Sequence, residues 1–197
     1  IGNEIIKAQV DAYRRLRNTL RFLLGNLTNF DESERLPLEE MPDLDQLVLH
    51  HLSELDELVR QSCANFDFHR LYVALGNFCT NDLSAFYLDI RKDALYCDNL
   101  TSNRRRAART VLDHIFSCLT VWLAPILCFT AEEAWRSRFP KEESVHLQQF
   151  PEIPSSWHNE PLAAKWAKVR TLRRVVTGAL EIERREKRIG ASLQGHP

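Results

Sequence analysis

Residues 13–27 read YRRLRNTLRFLLGNL, and their spacing predicts an amphipathic helix. At 100° per residue, the apolar side chains of this stretch gather on one stripe of the helix. The stripe consists of Tyr13, Leu16, Leu20, Leu23, Leu24 and Leu27. One edge of the stripe carries Arg14, Arg17 and Arg21, with Asn18 just outside them. Such a row suggests either an anion-binding surface or a set of helix-to-helix ion pairs.

The same helical periodicity recurs along most of the chain and predicts an all-α fold. The 197 residues include only six glycines, and few segments alternate as strands do. Helix starts are predicted near Asn3, Asp43, Asp67 and Asn103, and Pro161 is well placed to begin a last helix. The prediction is a helical bundle of about four long helices plus a short helix, with a final long helix after an extended connector.

Three sequence signals set the finer expectations for these elements. The mixed charges of residues 87–103 predict a break between the third and fourth helices. The run TAEE predicts a capping box for the short helix, in which Thr130 and Glu133 satisfy free amide groups. The last helix should end at Gly190 and bury one face. That face comprises Leu162, Trp166, Val169, Leu172, Val176 and Leu180.

The domain organisation follows from the positions of the prolines. Residues 1–138 should form the bundle, and residues 139–160 an extended connector, because they combine prolines with little periodicity. Residues 161–197 should form the C-terminal helix. Although the formal net charge is −1, residues 1–30 carry +3, residues 31–67 carry −9 and residues 161–197 carry +6. This asymmetry suggests a polyanionic partner, or else basic and acidic helices that pair with each other.

Several classes of protein are disfavoured by the sequence. The five cysteines are scattered and form no C-x-x-C pair, so a zinc site or a disulfide framework is not expected and a reducing compartment such as the cytoplasm fits. No apolar run reaches the length of a membrane span. No phosphate-binding loop, dinucleotide fingerprint or nucleophile elbow occurs, so we expect no catalytic site within this segment.

No metal site is expected either. Glu143 and His146 match the E-x-x-H of di-iron bundles, but the motif occurs once and lies in the connector rather than on a helix. His50 and His51 are adjacent, so their side chains should point about 100° apart and be unable to chelate together. A metal-dependent bundle enzyme is therefore the least favoured alternative.

Recognition of a partner is the remaining class of function. The arginine fork suits phosphates and base edges, and Phe22, Tyr87 and Tyr96 could offer stacking faces to unpaired bases. Each aromatic residue could equally be part of the core. A helical protein-interaction module, in which the arginines form salt bridges between helices, is the alternative.

Four stretches together resemble one known family. They read YRRLRNTLRFLLGNL, YLDIRKDALY, WLAPILCFTAEEAW and RREKRIGASL, and their order and spacing are similar to those of class I aminoacyl-tRNA synthetases. The runs DFHRLYVALGNFC and FYLDIRKDALY are most similar to the anticodon-binding helical domain of bacterial-type isoleucyl-tRNA synthetases, rather than to the valyl, leucyl or methionyl relatives. The resemblance covers essentially the whole chain.

This resemblance implies a function and a set of partners. The family joins isoleucine to its tRNA through an adenylate made from ATP and Mg²⁺, and the HIGH and KMSKS motifs for that chemistry do not occur in this sequence. The chain should therefore be an inert piece of a larger cytoplasmic ligase that needs no cofactor of its own. Its implied partners are the isoleucine tRNA and the rest of the synthetase chain.

The resemblance also implies which residues contact tRNA. Arg17, with Asn18 beside it, matches the position that presents an arginine to anticodon bases, and Lys92 and Asp93 match a second contact region. Tyr13 departs from the polar residue expected one turn earlier. Arg14 and Arg21 should hold phosphates, and Lys187 and Arg188 are candidates for the tRNA backbone. The expected contact set is Arg14, Arg17, Asn18, Arg21, Lys92, Asp93, Lys187 and Arg188.

Overall fold

In the part of the chain that the structure describes, most residues belong to seven α-helices and one π-helical segment. The computed structural model describes residues 2–191 and 194–195, and within these residues it contains no strand. The elements are α1 (Asn3–Asn26), α2 (Asp43–Ala64), α3 (Phe68–Asn77), the π segment (Phe78–Leu88), α4 (Asp89–Cys97), α5 (Asn103–Leu123), α6 (Cys128–Arg138) and α7 (Glu160–Arg185). The predicted all-α fold is therefore confirmed. No helix in this part of the chain is both long and apolar enough to cross a bilayer.

The helix α5 lies at the centre of the bundle. Almost every residue from Ala107 to Leu123 is buried, and α1, α2, α4 and α6 all pack against this helix. The arginines at its start are held by carboxylates and carbonyls of neighbouring segments. Arg109 pairs with Glu34 at 3.2 Å, and Arg104 pairs with Asp98 at 2.6 Å. These pairs offset the unfavourable interaction between cations and the positive end of the helix dipole.

The predicted break over residues 87–103 is wrong for most of its length. The chain remains helical from Phe68 to Cys97, first as α3, then as the π segment and then as α4. Only residues 98–102 separate α4 from α5. The charges of this stretch do not interrupt the helix, because Arg91 is buried in an ion pair with Asp45 of α2.

The predicted capping box of α6 is also wrong. The helix begins at Cys128, and the residue before it makes no side-chain capping bond. Thr130 and Glu133 turn towards α1 instead. The Thr130 hydroxyl lies 3.0 Å from the Tyr13 hydroxyl, and Glu133 pairs with Arg17. Tertiary partners on α1 thus replace the local amide groups that a capping box would satisfy.

The segment after α6 is irregular but is anchored to the bundle. Val145 and Trp157 are buried, and the Trp157 ring lies 4.8 Å from that of His114, centroid to centroid. The chain divides into two compact units, residues 1–158 and residues 159–197. Residues 139–158, which we predicted as most of the connector, therefore group with the bundle.

The second unit contains α7, which begins at Glu160 with Pro161 in its first turn, as predicted. The predicted inward face is wrong for Val169, Leu172 and Val176, which are 42%, 65% and 43% exposed. The helix also ends at Arg185 rather than at Gly190. Lys187 takes a positive φ of 58° just beyond it, and so adopts the left-handed conformation that commonly follows a helix C-terminus.

Candidate nucleic-acid interface

An open groove separates α1 from the π segment and α4, and it has a volume of about 520 Å³. It is lined by Arg15, Asn18, Thr19 and Phe22 of α1, by Cys79, Thr80, Ser84 and Leu88 of the π segment, and by Asp89, Lys92 and Tyr96 of α4. We call this cavity the α1–α4 groove. Two of the residues expected from the sequence, Asn18 and Lys92, therefore line the same cavity.

The position of Lys92 depends on a buried polar group beneath α4. Asp45, at the start of α2, accepts a hydrogen bond of 2.7 Å from the Tyr87 hydroxyl and pairs with the Arg91 guanidinium, with Nε 3.1 Å from the carboxylate. Arg91 is thereby directed into the interior. The next side chain, Lys92, leaves the helix about 100° further round and reaches the groove.

The buried group excludes one of the aromatic candidates for base stacking. Tyr87 is fully buried, and its hydroxyl is bound to Asp45, so it has no face to offer to a base. Burial, together with the nearby Asp45 carboxylate, holds the pKa of Tyr87 well above its usual value. Phe22 and Tyr96 both line the groove, and Tyr96 is 65% exposed. The Asn26 amide lies 3.5 Å from the Tyr96 hydroxyl and links this ring to α1.

Charge in the groove comes from both of its walls. Lys92 lies 3.0 Å from Asp89 and is still 57% exposed. The hydrogen bond from Asp89 raises the pKa of Lys92, so the amine is charged at neutral pH. Arg15 stands on the opposite wall. A second cavity of about 350 Å³, which shares Arg15 and Thr80 with the groove, adjoins it towards α3.

Arg17 faces a different neighbour from Lys92. It forms a two-point ion pair with Glu133 of α6, with nitrogen-to-oxygen distances of 2.6 and 2.9 Å. The hydrogen bonds of this pair raise the pKa of Arg17 and lower that of Glu133. Arg17, Asn18 and Arg21 line a cleft of about 350 Å³ between α1 and α6, which we call the α1–α6 cleft. Asn18 lines both cavities and marks the ridge between them.

The other predicted residues are distributed over the surface. Arg14 is exposed and lies 3.5 Å from Asp11. Asp93 is exposed on α4 and is not part of the groove lining. Lys187 and Arg188 belong to the second unit, where Arg188 pairs with Glu183 at 3.1 Å and also with Glu186. The predicted set thus comprises a groove pair, a cleft pair and four residues elsewhere on the surface.

Sequence reasoning placed Arg15 apart from the predicted contact row, yet this residue lines the groove. A signal for it was present in the helical periodicity. At 100° per residue, Arg15, Thr19 and Phe22 lie within about 60° of one another, on the side of the apolar stripe away from Arg17. An arginine and an aromatic ring on the same edge of a helix indicate a second candidate contact surface. The prediction considered only the row formed by Arg14, Arg17 and Arg21 and did not include this edge.

One group in the described part of the chain has the chemistry and spacing to hold a metal ion. His50, His51 and Glu54 bring their ligand atoms within 4.8 Å of one another. The expected divergence of the two side chains is therefore wrong. Their Cα–Cβ bonds diverge, but rotation of the side chains directs nitrogen atoms of both rings towards the Glu54 carboxylate, at 3.7 and 3.1 Å.

Comparison with known proteins shows which family the chain resembles. A family model described as the anticodon-binding domain of tRNA ligase matches residues 45–196. The whole chain is 56% identical to part of the isoleucine–tRNA ligase of Agrobacterium fabrum and 56% identical to part of that of Mesorhizobium japonicum. It is 58% identical, over 199 aligned residues, to that of Ruegeria pomeroyi.

The matched region is a limited part of these relatives. The alignment covers all of this chain and 20% of each of the three proteins, so the chain spans about a fifth of the length of the curated relatives it matches. These matches confirm the resemblance predicted from the ordered sequence stretches. With most of its residues covered by the family model, the chain belongs to the anticodon-binding domain family of tRNA ligases.

Proposed function

We propose that this chain binds the anticodon stem-loop of an isoleucine tRNA, with unpaired bases entering the α1–α4 groove. The observation that supports this most directly is the composition of the groove. Two aromatic side chains, an amide and two cations line one open cavity of about 520 Å³. Single-stranded RNA is recognised by stacking on aromatic rings and by hydrogen bonds to base edges, and both kinds of group are present here.

Each wall of the groove has a separate role in this proposal. Phe22 and Tyr96 provide stacking faces, and the Asn18 amide can donate to and accept from a base edge. Arg15 and Lys92 contribute positive charge, which attracts the phosphates that connect the bases. Asp93, exposed beside Lys92, would accept hydrogen bonds from a base amino group or a ribose hydroxyl.

The α1–α6 cleft serves the RNA backbone in the same proposal. Arg17 and Arg21 line it, and Arg14 lies on the adjacent exposed edge of α1. These arginines set the register of the RNA through phosphate contacts, which carry no sequence information of their own. Lys187 and Arg188, exposed just beyond the C-terminus of α7, would contribute further backbone contacts.

We further propose that the chain acts within an isoleucine–tRNA ligase, as the names of its relatives suggest. The longer protein would use ATP and Mg²⁺ to attach isoleucine to the tRNA in the cytoplasm. The role of this chain would then be to bind the tRNA end that carries the anticodon. Its partners would be the tRNA and the remainder of the ligase.

Fluorescence anisotropy with a labelled anticodon stem-loop tests the proposal. We expect the loop of the isoleucine tRNA to bind more tightly than the same stem with a different anticodon, including those of valine, leucine and methionine. Tyr96→Ala should weaken binding by about 1–3 kcal/mol, the range for loss of one stacked base. Phe129→Ala is the matched control, because Phe129 is a 93% exposed aromatic on α6 outside the groove. Equal loss in the two variants would contradict the assignment of the groove.

The second candidate function is a protein-interaction module. One observation favours it, since Arg17 of α1 already pairs with Glu133 of α6. Salt dependence separates the two functions. Each phosphate contact on a single strand should contribute a slope of about −0.7 to the plot of log K against log salt concentration. If the two loops bind equally and the slope is flat, the interaction module is the better description.

A further inference from the structure

A cluster of two histidines and one glutamate lies on one turn of α2, away from the residues that line the α1–α4 groove. The Glu54 carboxylate oxygen Oε2 lies 3.1 Å from Nδ1 of His51 and 3.7 Å from Nε2 of His50. All three ligand atoms fall within 4.8 Å of one another. His50 and Glu54 are four residues apart and His51 and Glu54 three apart, so a single helical turn carries the whole set.

We propose that His50, His51 and Glu54 bind a divalent transition-metal ion, with Zn²⁺ as the best match. Two imidazole nitrogens and one carboxylate oxygen form a donor set that zinc accepts in tetrahedral geometry, with bonds of about 2.0–2.2 Å. His50 is 1% exposed, so packing holds its ring in place, whereas the Glu54 side chain is 50% exposed. Bonds of this length in a tetrahedral site place ligand atoms about 3.3–3.4 Å apart. The two distances from the Glu54 carboxylate, 3.1 and 3.7 Å, lie on either side of that value.

The surroundings provide room for a fourth ligand. His51 and Glu54 form one wall of a cavity of about 310 Å³, and the opposite wall contains Asn77 and Asp82, at the junction of α3 and the π segment. A water molecule or the Asp82 carboxylate could complete the coordination from this side. The ring of His158 lies 4.9 Å from that of His50, centroid to centroid, and adds a further imidazole next to the cluster.

The choice of metal follows from the donors. Imidazole suits zinc, copper and nickel, whereas Mg²⁺ prefers oxygen ligands and retains water. The proposed site should therefore bind Zn²⁺, and should bind Co²⁺ more weakly. It should not bind Mg²⁺ at the same concentration. The competing description is a plain helix-surface hydrogen bond between His51 and Glu54, which requires no metal.

Metal titration of the 197-residue chain, first freed of metal with a chelator, tests the proposal. We expect one Zn²⁺ per chain by calorimetry. Co²⁺ should give a visible absorption spectrum without the charge-transfer band of a thiolate ligand. His51→Ala and Glu54→Gln should each weaken Zn²⁺ binding at least tenfold, as expected when a ligand of the metal is lost. Zn²⁺ should raise the Tm of the unaltered chain but not that of these variants.

Two controls test exposed candidate ligands outside the cluster, since the chain contains seven histidines and five cysteines. His69→Ala removes an exposed histidine of α3, and a Cys97→Ser, Cys128→Ser double variant removes the exposed thiols. Both should leave Zn²⁺ affinity unchanged. Equal affinity in His51→Ala and the unaltered chain, or loss of binding in the cysteine variant, would overturn the proposal. His50 itself is not altered, because it is buried and its loss would disturb packing.

Discussion

Arg17 of α1 and Glu133 of α6 form a two-point ion pair that closes one side of the α1–α6 cleft, with distances of 2.6 and 2.9 Å. Both side chains remain well exposed, at 44% and 59%. An RNA phosphate that approaches Arg17 must therefore compete with a carboxylate already in place. The pair makes the availability of Arg17 depend on a residue of another helix.

Glu133→Gln should strengthen binding of the anticodon stem-loop several-fold. The change removes the competing charge and releases the Arg17 guanidinium for a phosphate, and the salt slope should steepen by about 0.7, the value for one added contact. Anisotropy at several salt concentrations measures both quantities. In an Arg17→Ala background, which alone should weaken binding, Glu133→Gln should have little further effect.

Glu57→Gln is the control for this prediction. Glu57 is exposed on α2, and its replacement removes the same charge outside the α1–α6 cleft. Its effect on affinity should be small. An equal gain in the Glu57 and Glu133 variants would mean that overall charge, rather than release of Arg17, controls binding.

A second prediction concerns the buried group that positions Lys92. Asp45→Asn should lower the free energy of unfolding by about 3–5 kcal/mol, because it leaves the Arg91 guanidinium buried without a charged partner. The side chains of Asp45 and Arg91 are 0% and 8% exposed, so water cannot replace the lost interaction. Urea denaturation measures the change. Asp93→Asn, an exposed substitution on α4, should change stability by less than about 0.5 kcal/mol.

Tyr87→Phe measures the contribution of the hydrogen bond to Asp45 separately from that of the ion pair between Asp45 and Arg91. It removes the 2.7 Å bond to Asp45 and keeps the ring in the core. We expect a loss of about 1.5–3 kcal/mol, the range for a hydrogen bond to a charged group. Loss of less than about 1 kcal/mol in Asp45→Asn would show that the buried pair is not what holds α4 in place.

The periodicity of α1 and the starts of α1, α2, α3, α5 and α7 were predictable, because they depend on local spacing and capping. Asp67, for example, accepts from the Arg70 amide at the start of α3, as its position suggested. The π segment and the burial of Arg91 were not predictable from the sequence. A charged residue is normally expected to face solvent, and Asp45, the partner of Arg91, lies 46 residues away along the chain. The spacing of apolar residues likewise predicts an apolar face on α7, but it does not show whether another part of the protein packs against that face.

The candidate site was predicted in the same uneven way. Asn18 and Lys92, which the resemblance assigns to tRNA contact, line one groove, because each is fixed by its own helix register. Arg17 and Lys92, which the resemblance assigns to two contact regions, line different cavities. The reason is Glu133, for which the sequence predicts a capping role but which instead reaches across to α1. Long-range pairing of this kind leaves no local signal in the sequence.

A third prediction uses His114, a partly buried histidine of α5. Arg35 lies 3.2 Å from Nε2 of His114, and because arginine can only donate, this nitrogen must carry a lone pair and the ring must be neutral. Burial, with the nearby Arg35 charge, lowers the pKa of His114 to about 4. The folded state thus binds fewer protons than the unfolded state between pH 4 and the unperturbed value of about 6.5.

The sign of the pH effect follows from this difference. The stability that neutral His114 contributes is complete above about pH 6.5 and is lost as the pH falls towards 4, by up to about 3 kcal/mol. Urea denaturation from pH 7 to 4 should show a decline in the unaltered chain that is reduced in His114→Gln. His69→Gln, at an exposed position of α3, should leave the decline intact. Identical pH curves for the unaltered chain and His114→Gln would refute the assignment.

The last prediction concerns the end of α2, where Phe66 adopts a positive φ of 56°. The Phe66 amide donates to the Cys63 carbonyl at 3.1 Å, and the Asp67 amide donates to the Ser62 carbonyl at 2.8 Å. These two bonds define a helix-ending motif that favours glycine at the position of Phe66. The ring gains little in return, since Phe66 is 81% exposed.

Phe66→Gly should therefore raise the free energy of unfolding by about 0.5–1 kcal/mol. Relief of the left-handed strain exceeds the added entropy of glycine in the unfolded chain. Phe66→Ala is the matched control, because it removes the ring and keeps the Cβ atom that causes the strain. Thermal and urea unfolding should place glycine above alanine by roughly 1 kcal/mol. If the two variants were equally stable, the strain at this position would be negligible, and the geometry of the α2 terminus would be set by the segment that follows it.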